Sequence, residues 1–471
     1  MVHSRYRLLK SRVREVDGLT VASLLLCFGS ITQADWLYFS KGGQAELPAS
    51  VQASTVEVTT PDGRKSFPLE SFRAIVPEVR LDDEWRDRRT IAKTEGSASS
   101  QFQAAWWALE RGLTSEAVSL LRLASTSPGA ADHAPLIRAN RMLDRLELPA
   151  ADPDLQPIQR ELGATGWTEL RGRHVLLLHQ ASTTEAQERL EVLDRVVETF
   201  YLSLAAQGIE LAVPGRRLIS VWFARQGDYI HFLRKAEAGP FVDTQGYYHP
   251  NFGAVFAFDT RSLLEQVQAR KTLADLRKVP DLSTEKAAEI DRQSLLLDLR
   301  WRSVDLGVAA HETIHQLVSS SGLAPRFDDW PIWLHEGFSA QFEVVRGGRW
   351  AGFGRANDFR LPDWRSIRPA PQLAPLLRDE GLTHGYHRAR YAESWAFVYF
   401  LRKARPQEFI TFLDLLKTPR TSHDPLPTTR VFAATFGTNL DEIQTHWRRY
   451  MQDQTTPLEA HAKTVKVGKS P

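Results

Sequence analysis

The chain has 471 residues, 42% of them apolar and 25% charged, enough apolar material for two or three packed domains, which excludes a disordered or fibrous protein. The formal net charge is +2, but the first 34 residues hold five of the 59 basic and two of the 57 acidic side chains, leaving 54 against 55 in the rest. A near-neutral body offers no basic face for a phosphate backbone, so nucleic acid is not expected as a partner.

In residues 1–34, Arg5, Arg7, Lys10, Arg12 and Arg14 precede an apolar stretch, 19–31, and then Thr32, Gln33 and Ala34. This order of basic, apolar and small-residue zones predicts a signal peptide cleaved after Ala34, hence a secreted or periplasmic protein with no membrane association once the signal is removed. The apolar stretch falls short of the roughly 20 residues of a spanning helix; an uncleaved anchor is the alternative. The one cysteine, Cys27, lies in this stretch after Leu26, so a mature chain has no thiol and relies on packing and metal rather than disulfides.

Residues 35–80 read as a small β module of four or five strands. Val56 and Val58 alternate with polar neighbours, Pro61-Asp62-Gly63 is turn chemistry, and 67–75 resumes extended character. From 81 to 148 the period becomes helical, with Ala104, Ala105, Trp107 and Ala108 before Gly112, and Ala117, Val118, Leu120 and Leu121 after it. This is a helical hairpin resembling one and a half tetratricopeptide repeats, either docked on its neighbours or presenting a peptide-binding surface. Residues 149–157 read as a linker. Beyond them strands are predicted at 174–179, 218–224, 247–248 and 254–258, with helices at 185–204 and 226–236, and a mostly helical half after 261. The class is α+β, with a mixed sheet followed by helices in the domain 158–454. A disordered tail is expected at 455–471.

The chemistry sits where the helical half begins. His311-Glu312-Thr313-Ile314-His315 lies in a proline-free run. At roughly 3.6 residues per turn, the two histidines share one helix face and can reach one metal, with Glu312 offset toward its open side, where a water can surrender a proton to it. A second helix opens at Trp330-Pro331 and carries Glu336, after twenty intervening residues from His315. A His-His-Glu set leaves a fourth position for water, as a catalytic zinc site requires. The alternatives are a hydrogen-bonded buried histidine pair and a solvated acid at a helix start.

These residues resemble the gluzincin metallopeptidases, in particular aminopeptidase-like members and related uncharacterised exported bacterial domains. The likeness rests on His311-Glu312-x-x-His315, on Trp333-Leu334-x-Glu336-Gly337-Phe338, and on the run 391–401 that starts at Tyr391; weakly, it extends over 174–450. It implies that Glu343, seven positions after Glu336, orients a ligand histidine by accepting its second N–H, with a solvated glutamate as the alternative. It also implies that Tyr391 donates to the oxyanion formed during attack on a carbonyl; Tyr386, His384 and His387 are alternatives. The resemblance makes 253–256 the candidate strand at the cleft edge. The acid and amide expected after an aminopeptidase-like Gly-Ala are absent, so no amine-binding group is assigned. His335 stands where those enzymes have asparagine, as a competing ligand or a gate. The charged segment 261–292 is an insertion, read as an exposed hairpin or a lid.

The expectation is an exported zinc peptidase acting on peptide or protein substrates. His311, His315 and Glu336 hold Zn2+, Glu312 is the general base and Tyr391 the oxyanion donor. The rival, from another class, is an inactive peptidase-like scaffold whose β and helical modules bind proteins.

Overall fold

A computed structural model describes residues 33–77, 81–163, 166–324, 326, 329–382, 388–417, 426–456 and 459. The expected signal segment up to residue 32, Cys27 included, lies outside the described residues, as do His384, Tyr386 and His387. The fold is α+β, as its sequence pattern indicates.

The N-terminal module is a five-stranded antiparallel sheet of β1 (Gln33–Phe39), β2 (Gln44–Val51), β3 (Thr55–Thr60), β4 (Gly63–Pro68) and β5 (Phe72–Pro77), in the order β4-β3-β2-β1-β5. β1 runs across the boundary at Ala34, with Gln33 and Ala34 already paired to Ala49 and Pro48. One face buries Leu37, Phe39, Leu47, Val56, Val58 and Phe67. That face needs a cover, because a single sheet hides its apolar side only against another layer.

Helices α1 (Leu81–Glu95), α2 (Ala98–Leu109), α3 (Thr114–Ala124) and α4 (Ala134–Leu146) follow. α2 and α3 form the expected hairpin around Gly112, and α1 and α4 flank it. α4 packs on α6 (below), and the apolar residues of the helices join one core with those beyond residue 158. The stretch read as a linker is tied down: Ala151 bridges Arg216, and α5 (Gln156–Leu162) begins inside it.

The second sheet contains β6 (Thr168–Arg171), β7 (Val175–His179), β8 (Leu218–Phe223), β9 (Gly246–His249) and β10 (Ala254–Phe258), in the order β6-β7-β8-β10-β9. β7, β8 and β10 are mutually parallel and buried along their whole length, which is why they read as unbroken apolar runs. α6 (Thr183–Gln207) and α7 (Gln226–Lys235) connect them. The strand assigned to the cleft edge at 253–256 is corrected here: it is interior, between β8 and β9, and the outer strand is β9.

The charged segment 261–292 forms α8 (Leu264–Arg277) and the start of α9 (Thr284–Ser320), a single helix of 37 residues. Leu295 of α9 is buried in the core of the N-terminal sheet, and Lys41–Glu285 (2.8 Å) and Lys65–Asp298 (3.6 Å) link the two. Arg270 of α8 pairs with Asp298 at 2.7 Å, about 20 Å of helix rise before His311. The segment is thus the exposed helical hairpin of the expectation, α8 packed along the start of α9.

α10 (Ile332–Ser339) and a hairpin of β11 (Val345–Arg346) and β12 (Arg349–Trp350) pack on α9, while α11 (Arg360–Ser366) and α12 (Leu373–Leu377) pack on α13 (Arg388–Ala404), which packs on α10. α14 (Pro406–Leu416), α15 (Leu426–Phe436) and α16 (Leu440–Asp453) close the chain, with Ile443 and Trp447 buried. The tail expected to be disordered starts packed: Thr456 is buried and Glu459 pairs with Arg365. Among the described residues no helix is long and apolar enough to cross a membrane.

Candidate metal centre

Three buried side chains from two helices converge. His311 and His315 stand one turn apart on α9 with their Nε2 atoms 3.0 Å from each other. Glu336 of α10 places Oε2 at 3.2 Å from His311 Nε2 and Oε1 at 3.7 Å from His315 Nε2. Around a tetrahedral zinc with Zn–N near 2.0–2.1 Å, neighbouring ligand atoms stand roughly 3.3 Å apart; one ligand atom from each of the three residues lies within 4.8 Å of the other two, close enough to share one ion. Among the described residues this is the cluster of histidine and acidic groups able to hold a metal.

Local sequence explains the convergence. Pro331, with extended dihedrals, is the N-cap of α10, whose first amide groups are capped from afar: the Asp379 carboxylate accepts from Ile332 N–H (2.9 Å) and Trp333 N–H (2.8 Å). Gly337 lies against α13, where a Cβ would run into the Ser394 carbonyl and stand 2.6 Å from Val398 Cγ2. The glycine after the ligand is thus what lets the two helices approach closely.

The cluster is a buried set of paired charges. Burial opposes the charged form of His311, but hydrogen bonds and charge from Glu336 and Glu343 outweigh it and lift its pKa to about 10. Burial likewise pushes the Glu336 carboxyl up, yet His315 and His311 hold it well below the ordinary range. Oε2 of Glu336 is buried and faces His311 Nε2 at 3.2 Å, at angles poor for a hydrogen bond. A buried acceptor of this kind and two imidazole nitrogens turned on each other form a donor set that fits a divalent ion, whose binding displaces protons.

Glu343 sits where the resemblance places it, with Oε1 at 2.8 Å from His311 Nδ1. The backbone does not reach it as one helix: α10 ends at Ser339 and a 3-10 turn, Ala340–Phe342, delivers Glu343. Arg360 donates to both of its oxygens, Nε to Oε2 and Nη2 to Oε1, each at 2.8 Å. Burial alone would raise the Glu343 pKa; Arg360 and His311 bring it down to about 2. The Ser339 hydroxyl stands 3.3 Å from Nδ1 of His315, so both ring partners come from the segment that follows Glu336. Ser339 and Arg360 were not anticipated, for neither belongs to a local pattern with the histidines.

Glu312 turns to the edge strand. Its Oε2 accepts the Tyr248 N–H at 2.9 Å, an amide directed away from β10. Gly246 makes this approach feasible: a Cβ there would lie 2.7 Å from Val308 Cγ1 and 2.8 Å from Glu312 Cγ. Burial raises the Glu312 pKa against the opposing pull of His311 and His315, the direction that suits a base working near neutrality.

Tyr391, at the start of α13, has its ring 6.5 Å from that of His311, and the Arg360 guanidinium lies 5.6 Å from its centroid. Burial, then Glu336 and Glu312, push its deprotonation far above the usual range, so the phenol keeps its proton as a donor. His335 does not enter the ligand cluster; it is buried between Trp330 and His315, with ring centroids at 5.3 and 5.9 Å.

No curated protein and no solved structure matches the chain. Residues 305–421, the stretch that carries all three clustered ligands together with Glu312, Glu343, Arg360 and Tyr391, match the sequence model of a family described as a protein of unknown function, DUF1570.

Proposed function

We propose that this chain is an exported zinc-dependent peptidase in which His311, His315 and Glu336 hold the metal and Glu312 is the general base. The observation that carries the reading is the convergence of His311, His315 and Glu336, with the part-buried Glu312 carboxylate next to His311 on the same helix and hydrogen-bonded to the Tyr248 amide. A zinc ion held there supplies Lewis acidity toward water and a carbonyl oxygen. Glu312, with Oε2 anchored on the Tyr248 amide, has its other oxygen to take a proton from water and return it to a leaving amine. Tyr391 donates to the oxygen on which charge develops. A peptide substrate is supported by the likeness of His311-Glu312-x-x-His315 and Trp333-Leu334-x-Glu336-Gly337-Phe338 to the gluzincin metallopeptidases. Export is supported by the basic, apolar and small-residue order of residues 1–34.

The test is zinc content together with digestion of a peptide library, with and without chelator, for wild type and Glu312→Gln. The expected result is zinc in both proteins, chelator-sensitive cleavage by wild type, and cleavage reduced by about 10²–10⁴ in the variant. Bound zinc without cleavage by wild type would replace the peptidase by the scaffold reading.

A further inference from the structure

The Arg360 guanidinium meets two parts of the centre at once. It forks onto both oxygens of Glu343 while Oε1 of that carboxylate faces His311 Nδ1, each contact at 2.8 Å, and its Cζ lies 5.6 Å from the centroid of the Tyr391 ring. Arg360 and Glu343 are both 12% exposed, so neither is a solvated surface group. The arginine backbone is fixed as well, since the Asn357 side chain accepts from the N–H groups of Phe359 (2.8 Å) and Arg360 (3.1 Å) at the start of α11. A carboxylate held by one hydrogen bond can turn about its last torsion; a planar two-point fork removes that freedom.

We infer that Arg360 is a positioning residue of this centre, clamping the Glu343 carboxylate in the plane that presents Oε1 to His311 and flanking the ring of Tyr391. The inference rests on reading His311, His315 and Glu336 as a metal site. Arg360 acts on the ligand through Glu343, so its removal loosens His311 without removing any ligand atom. Losing a partner outside the ligand set typically costs 10- to 100-fold in metal affinity.

The experiment measures zinc affinity by chelator competition, and the visible spectrum of cobalt(II)-loaded protein, for wild type, Arg360→Gln, Arg360→Lys, Glu343→Gln, the Arg360→Gln/Glu343→Gln pair and Tyr391→Phe. Thermal unfolding confirms that each variant is folded. Arg360→Gln is expected to bind zinc about 10- to 100-fold more weakly with altered cobalt bands. Arg360→Lys, which keeps the charge but not the fork, should recover little of this. The pair should be no weaker than Glu343→Gln alone within about threefold, because one acts through the other. Tyr391→Phe, which keeps the ring, should bind as wild type does. Zinc affinity of Arg360→Gln within threefold of wild type, full recovery by lysine, or additive losses in the pair would overturn the inference. If Arg360→Gln fails to fold, lysine and the Glu343→Gln background decide. Wild type that binds no zinc would overturn the metal reading itself, and this inference with it.

Discussion

Gly246→Ala probes whether the edge strand sets the position of Glu312. The new Cβ would stand 2.7 Å from Val308 Cγ1 and 2.8 Å from Glu312 Cγ, against about 3.5–4.0 Å for relaxed carbon pairs. Neither neighbour is the free end of a long side chain, so β9 and α9 must part by several tenths of an ångström. Overpacking of this kind costs about 1–3 kcal/mol. The displaced group is the proposed base, and its hydrogen bond to Tyr248 is made two residues along the same strand. Misplacing a reacting group by about 1 Å can cost around 10² in rate. The expected outcome is a lower unfolding midpoint, zinc content unchanged because His311, His315 and Glu336 do not touch Gly246, and peptide turnover reduced by about tenfold to a hundredfold. Gly227→Ala is the control: nothing lies within 4 Å of the added carbon and the position opens α7, so stability should be unchanged or slightly higher. Wild-type stability and turnover in Gly246→Ala would refute the reasoning.

Other perturbations separate the parts of the centre. Glu336→Ala should lose zinc, measured by metal analysis after dialysis, while secondary structure by circular dichroism persists. Asp379→Ala removes two hydrogen bonds to the start of α10 and puts alanine at a backbone φ of 54°. Loss of the cap alone costs about 1–2 kcal/mol, so the unfolding midpoint should drop and zinc affinity with it. Glu343 also makes the metal-free protein sensitive to acid. Its folded pKa of about 2 lies below the ordinary 4.5, so its stabilisation is complete above about 4.5 and is lost as pH falls through that window toward 2. Urea midpoints of apo Glu343→Gln should therefore fall less than those of wild type over that range.

Where a residue and its partner lie within one helix or one short motif, the sequence already carries the geometry. His311 and His315 are four apart on a helix, and the fully buried strands β7, β8 and β10 stand out as runs of apolar residues. Glu336 is legible as an acid at the start of a second helix after the histidine pair, whereas Glu343 is legible only through a family likeness, since α10 ends at Ser339 before reaching it. What escapes are contacts set by the order of strands and by distant loops. The sequence of β9 and β10 does not say which is outermost, so the cleft edge was misplaced by one strand. Arg360, Asp379 and the Tyr248 amide reach the centre or its helices from 17, 46 and 64 residues away, with no periodicity to announce them. The burial of Leu295 was hidden for a similar reason: it fits an ordinary amphipathic stripe, and nothing local says that it packs against the N-terminal sheet.

The 37-residue helix α9 has a consequence for dissecting the protein. Leu295, near one end, plugs the β module, and His311 and His315 lie further along the same uninterrupted rod, so no flexible joint separates the two regions. Cutting the chain at residue 80 would leave Leu295 and its neighbours wet on a helix whose other turns form the centre. The β module of residues 33–77 is best regarded as a foundation on which the chemistry stands, and the two regions should be expressed, and inherited, as a single piece.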